Sequence, residues 1–195
     1  MKKLIIYAVL MLLFFSPATA VSGSKKAPPK SGDAFPAITL PTPQAPEYRS
    51  YLGLSGDEDS FAVQNIKTQI LIIEIFSMYC PHCQREAPEV NALYEKTKKH
   101  EELTDRIKII GLGVGNSSLE VDVFRKKYDI VFPLFPDPEF KIYERVGAVR
   151  TPYFFALTIN DKGPARVIYS ELGGINGAEN FLEKILHLSS TAAEE

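Results

Sequence analysis

The sequence holds only two cysteines and three histidines in 195 residues, and that scarcity removes several classes of protein. A structural zinc site normally takes four ligands, and beyond Cys80 and Cys83 the chain offers only His82, His100 and His187. Two cysteines also make no disulfide framework, and a chain of this length can hold a core without one. Neither sign of charge dominates: 22 Lys and Arg against 24 Asp and Glu leave a net charge of -2. Such a balance carries no basic footprint for nucleic acid. Nor is there an apolar run of the ~20 residues that a bilayer-spanning helix needs.

The longest apolar run lies in "MKKLIIYAVLMLLFFSPATA". Two lysines, a short greasy stretch from Leu4 to Phe15, and the small-residue site Ala18-Thr19-Ala20 have the anatomy of a secretory signal peptide cleaved after Ala20. An uncleaved membrane anchor is the weaker reading, because the run is short. Cleavage removes Lys2 and Lys3 and no acid, so the charge becomes 20 minus 24, or -4. Export, to a bacterial periplasm, places the protein where disulfides persist.

With 45% hydrophobic and 24% charged residues the remainder suits one globular domain. Residues 21–32, rich in Pro, Gly, Ser and Lys, read as a flexible linker. The fold is expected over 33–188 and a disordered acidic tail over 189–195. Four prolines between Phe35 and Pro46 allow a short edge strand at most, and "SGDED" reads as a turn before another near Phe61. A strand at Ile70–Phe76, a helix from Pro81 to about His100, a strand at Ile107–Gly113 and a helix at Leu119–Tyr128 follow. Ser117 and Glu120 have capping-box spacing. "DPEFKIYERVG" predicts a short helix with Asp137 as N-cap, Pro138 in the first turn and Gly147 as its stop. "YFFALTI" and "ARVIYS" predict a hairpin, and a last helix runs from Ala178 to Leu188. Parallel crossovers followed by antiparallel strands imply an α/β fold, a mixed sheet with helices on both faces.

The two cysteines stand together in "ILIIEIFSMYCPHCQREAPEV", where the apolar strand stops. As a brace, a ring this small contributes only about 2 kcal/mol, against ~4.7 for a hundred-residue loop. Redox work explains the placement better. The strand delivers Cys80 to the mouth of the next helix, where free N–H groups and the macrodipole stabilise a thiolate. Cys80 is therefore the predicted nucleophile, and Cys83, one turn further in, the resolving thiol. Pro81 suits the first helical turn, and a cationic His82 ring beside the sulfur would lower its pKa further. Alternation along the strand places Glu74 on the face of Ile70, Ile72 and Phe76, so it is predicted to be buried and partly neutral. Glu86 lies one turn beyond Cys83 and four residues beyond His82, within reach of either.

These residues, with the later "GAVRTPYFFALTINDKG", resemble a thioredoxin fold. The pattern Cys80, Cys83, Glu86, Pro88 and the opening "GDAFPAITL" are most similar to the exported TlpA/ResA-like thiol-disulfide oxidoreductases of the redoxin (AhpC/TSA-like) group. The resemblance implies an enzyme that needs no cofactor or metal beyond a redox-active Cys80–Cys83 disulfide. Its partners would be proteins bearing thiols or disulfides and a membrane-bound electron donor or acceptor. It implies that Glu74 exchanges a proton with Cys83, that Glu86 serves the same site, and that Pro152 is cis, with Thr151 contacting substrate. Tyr79 replaces the usual tryptophan and, with Met78 and Arg150, would line the substrate surface. Some relatives reduce apocytochrome thiols, whereas the Pro81-His82 pair resembles disulfide oxidants. Potentials of about -270 and -120 mV separate those two roles. Two other readings stand beside this one. A copper-delivery module would use Cys80, Cys83, His82 and Met78. A thiol peroxidase would use the Ser77-to-Cys80 spacing, although Ile73 stands where the peroxidase motif has proline.

Overall fold

The computed structural model of the chain describes residues 27–56, 58–160 and 163–193. The expected signal peptide and the first half of the linker, residues 21–26, lie outside them. The described chain runs β1 (Thr39–Pro41), α1 (Pro46–Leu52), β2 (Ser60–Ala62), β3 (Ile70–Phe76), α2 (Pro81–Lys99), α3 (Glu101–Thr104) and β4 (Ile107–Val114). It continues as α4 (Ser118–Lys127), β5 (Leu134–Asp137), α5 (Lys141–Arg145), β6 (Tyr153–Thr158), β7 (Arg166–Leu172) and α6 (Ala178–Ala193).

All seven residues of β3 are buried, as a strand covered on both faces must be. It is the centre of a five-stranded sheet in the order β5-β4-β3-β6-β7, with β4 and β5 parallel to their neighbours and β6 and β7 antiparallel. This is the expected mixed α/β sheet. Alternation divides β3 between two apolar clusters: Ile70, Ile72 and Phe76 face one, Leu71, Ile73 and Ile75 the other. Ala87, Val90 and Leu93 of α2, Val121 and Phe124 of α4, and Phe181 and Ile185 of α6 fill the first. Ile142 of α5 and the β1–α1–β2 unit, through Leu40, Leu52 and Phe61, fill the second. Each such side chain contributes about 1.5–3 kcal/mol by leaving water.

Several elements differ from the sequence reading. Helix α1 was not expected in the proline-rich stretch, but Pro46 stands at its first turn and Gly53, left-handed at φ 66°, ends it. Strand β5 was missed because Pro133 and Pro136 argue against a strand, yet β5 is an edge strand, where a missing N–H leaves no ladder partner wanting. Asp137 is not the N-cap of α5. It ends β5, and from there its carboxylate accepts the N–H groups of Ile142 and Tyr143 at 3.1 and 2.8 Å, doing a cap's work from outside the helix. The Ser117–Glu120 capping box is present. Helix α6 continues to Ala193, past the expected stop at Leu188. Part of the presumed linker lies against the sheet, with the Gly32 N–H on Val167 O at 2.8 Å and an Arg166 Nη1 bond to Gly32 O at 3.0 Å.

Two glycines shape the region under α2 and α4. Gly111 and Gly113 of β4 pair with Glu74 and Phe76 of β3, and their bare faces admit the Phe76 ring, which stacks on Phe124 at 4.7 Å. A Cβ on Gly111 would stand 2.4 Å from Leu134 Cδ2 and 3.2 Å from the Phe76 ring. Gly111→Ala is expected to destabilise the fold by about 1–3 kcal/mol through overpacking, read as a lower urea midpoint at unchanged slope.

Candidate active site

Strand β3 ends at Phe76, and Ser77-Met78-Tyr79 turn the chain so that Cys80 becomes the N-cap of α2, with φ -83° and ψ 114°. The Cys80 N–H donates to Ser77 O at 3.0 Å, and Pro81 occupies the first helical turn. Two side chains clamp this turn. Asn116 Oδ1, fully buried just past β4, accepts the Met78 N–H at 2.8 Å, and Gln84 Nε2 donates to Met78 O at 2.8 Å. Sequence reading singled out neither. The available signal was Asn116 itself, a polar residue two positions past the apolar run that ends β4 at Val114.

Both cysteines are free thiols, and one helical turn gives them opposite surroundings. Cys80 is partly exposed and its Sγ donates to Thr151 O at 3.4 Å. Burial would raise its pKa, but hydrogen bonds with Thr151, with the backbone N–H groups of Cys83 and His82, and with the Cys83 thiol outweigh burial and hold it below the ordinary thiol value. Cys83 is fully buried. Burial pushes its thiol far above the ordinary range, the charges of Glu74 and Cys80 push it further, and a bond from the Ser77 backbone only partly opposes them. Thr151-Pro152 is a cis peptide, and it brings the Thr151 carbonyl to Cys80.

Glu74 is 2% exposed, and its Oε1 makes no hydrogen bond. Burial, then the charges of Glu86 and Cys80, raise its pKa to about 8, so it holds a proton at neutral pH. Glu86 does not bond Cys83 or His82. Its Oε1 accepts the Ile175 N–H at 2.6 Å, and bare Gly174 leaves room for the carboxylate, since a Cβ there would lie 2.2 Å from Glu86 Oε2. The His82 ring is exposed and pairs with Arg85 Nη2 at 2.9 Å instead of covering the sulfur, so what His82 gives Cys80 is its backbone N–H. Tyr79 is 65% exposed, with its hydroxyl on Glu120. Met78 is half-buried against the core, and Arg150 is exposed beside Thr151. With His82 turned to Arg85 and Cys83 buried, the four proposed copper ligands do not converge. Among the described residues no group of three or more His, Cys, Asp or Glu is placed to hold a metal.

The sequence profile of the AhpC/TSA family matches residues 31–170, most of the chain. The chain belongs to the AhpC/TSA family. Its AhpC/TSA relatives include the thiol-disulfide oxidoreductase ResA of Bacillus thuringiensis subsp. konkukian, 26% identical over 100 residues, 51% of this chain and 55% of that protein. The chain thus spans little more than half the length of that relative. ResA of Halalkalibacterium halodurans is 23% identical over 130 residues, 67% of this chain and 68% of the other. Among solved structures, StoA from Bacillus subtilis matches with TM-score 0.54 at 21% identity, covering 78% of this chain and 98% of that one. The thioredoxin domain of a thiol-disulfide oxidoreductase from Bacteroides vulgatus matches with TM-score 0.58 at 14% identity, covering 80% and 97%. These likenesses establish a thioredoxin-like fold for this AhpC/TSA chain.

Two measurements follow from the geometry. Folded Glu74 keeps a proton that the unfolded carboxylate, at 4.5, gives up. Its contribution is therefore fully present below pH 4.5 and is lost as pH rises through about 8, on the order of 5 kcal/mol in all. Urea midpoints of the wild type should fall across that window, and those of Glu74→Gln should fall less. Alkylation of the reduced protein by iodoacetamide should label Cys80 with a half-maximal pH below that of free cysteine and leave Cys83 unlabelled, as peptide mass mapping would show.

Proposed function

We propose that this chain is an exported protein dithiol–disulfide oxidoreductase. The observation that carries the reading is the pairing of a partly exposed Cys80, held below the ordinary thiol pKa, with a buried Cys83 held above it. The matching names of the AhpC/TSA relatives support it.

In the reducing direction the Cys80 thiolate attacks one sulfur of a partner disulfide. A Cys80–partner bond forms, and the other partner sulfur leaves as a thiolate that takes a proton from water. Cys83 then loses its proton to Glu74, in the minor fraction of molecules in which that acid is ionised at neutral pH, and attacks Cys80 Sγ. The Cys80–Cys83 bond forms, the Cys80–partner bond breaks, and the partner departs with two electrons more. Glu74 serves because its pKa, about 8, lets it carry either charge state near neutral pH. Thr151 and Pro152, at the cis turn beside Cys80, meet the incoming segment, and Tyr79 flanks it. The same steps reversed oxidise a partner dithiol. Hydrogen bonds that stabilise the Cys80 thiolate stabilise the reduced pair, which moves the couple toward the oxidising end of the range.

The substrates on this reading are cysteines of exported proteins, apocytochromes among them, and a membrane-bound thiol–disulfide partner restores the couple. The signal peptide over residues 1–20, cleaved after Ala20 into a periplasm, belongs to the same proposal. No nucleic acid, metal or cofactor takes part.

Cys80→Ser should abolish turnover of insulin disulfides, and Cys83→Ser should accumulate a covalent Cys80–insulin adduct visible by mass spectrometry. Full turnover by Cys80→Ser would refute the proposal. The potential of the Cys80/Cys83 couple, read against glutathione, assigns the direction. A value near about -120 mV fits an oxidant and one near about -270 mV a reductant.

A further inference from the structure

A groove of about 430 Å³ opens beside the reactive cysteine, with Tyr79 and Thr151 on the side nearest Cys80. Its walls are Val114, Val149, Tyr143 and Phe140, and Arg150 is the one charged side chain lining it. Among the described residues the Arg150 guanidinium makes no hydrogen bond or ion pair. Of the acids around the groove, Glu120 is occupied by the Tyr79 hydroxyl and the Ser117 cap, and Glu139, beside Phe140, by Lys141.

Phe140 is an independent sign that the groove is built for contact. Its ring is 44% exposed although its backbone is left-handed, at φ 58°, a conformation that aromatic residues seldom adopt. A glycine or asparagine would fit the turn into α5 with less strain. The ring stands edge-on to Tyr143, with centroids 5.7 Å apart, and lies over Gly115, where a Cβ would come within 2.6 Å of Phe140 Cζ. An outlier of this kind beside reactive atoms points to use by a ligand.

The exchange reaction fixes what that ligand is. A partner sulfur must meet Cys80 Sγ, which lies 3.4 Å from Thr151 O, so the segment carrying it passes along Thr151. Its neighbouring residues then lie over Arg150 and the aromatic wall. One unpaired cation among apolar walls attracts a carboxylate and repels a lysine. We propose that this groove selects extended, cysteine-bearing partner segments in which an acidic and an apolar residue adjoin the cysteine, Arg150 meeting the acid and Phe140 the apolar side chain. The inference rests on the exchange activity proposed above and adds its substrate preference.

The test uses three otherwise identical peptides whose cysteine is a mixed disulfide with thionitrobenzoate. They carry Glu and Leu, Lys and Leu, or Glu and Ser beside it. Attack by the Cys80 thiolate on the peptide sulfur releases the coloured thionitrobenzoate. Rates are compared as ratios within each protein, so changes in intrinsic Cys80 reactivity cancel. The wild type should prefer Glu-Leu over Lys-Leu by about three- to ten-fold at low salt, and less at high salt. Arg150→Glu should invert that ratio. Phe140→Gly should erase the Leu-over-Ser preference without lowering Tm, because glycine accepts the left-handed backbone. A Glu-to-Lys ratio near one in the wild type, or no inversion in Arg150→Glu, overturns the inference while exchange stands. If the wild type releases no thionitrobenzoate even from its mixed disulfide with 2-mercaptoethanol, exchange itself fails and the inference with it.

Discussion

The chemistry of this protein depends on the placement of two sulfurs one helical turn apart, on either side of the boundary between core and solvent. Cys80, as N-cap, lies outside the last intrahelical bond, where the free N–H groups of the first turn converge on its sulfur. Cys83 lies in the same apolar cluster as Ile72 and Phe76 of β3 and has no exposed surface. The ionic form is thus stabilised at one position and opposed at the other by the same helix. That asymmetry survives only if the turn entering α2 is rigid, which explains the Asn116 and Gln84 bonds to both sides of the Met78 backbone.

Much of this was legible because it is local. The unbroken apolar run of β3, its stop at Ser77, the cysteine spacing, the Ser117–Glu120 box and the face on which Glu74 lies all follow from residues within one or two turns of each other. The missed features are set by distant partners. The contact of Glu86 is a backbone N–H 89 residues away, and the role of Asn116 requires β4 to end beside β3. Strand β5 reads as a proline-broken loop until it is known to be an edge. Asp137 shows the intermediate case: its chemistry was read correctly as helix capping, but three residues of turn separate it from the helix it caps. His82 was misjudged for a different reason. An exposed ring follows its nearest partner, and Arg85 at i+3 was the nearer.

Glu74 shows what the site costs the fold. A glutamate between Gly111 and Phe154, with one carboxylate oxygen bonded to nothing, is a poor choice for stability, and an apolar side chain would serve the core better. On the mechanism proposed above, the acid carries a proton for a buried thiol. Gly111 contributes by leaving the opposing position without a side chain, so the acid can be accommodated without displacing Phe76.

The Pro-His pair suggested an oxidant through a charged imidazole, yet that ring is directed at Arg85. What holds the Cys80 thiol low is instead Thr151 across the cis-proline turn, the N–H groups of Cys83 and His82, and the Cys83 thiol. None of these groups is an imidazole, so the reactivity of Cys80 does not follow the titration of a histidine. The same set of bonds leaves out the tyrosine that stands in place of tryptophan before Cys80. Tyr79 is drawn outward to Glu120 on α4 and takes no part in the hydrogen bonds that hold the Cys80 thiol low.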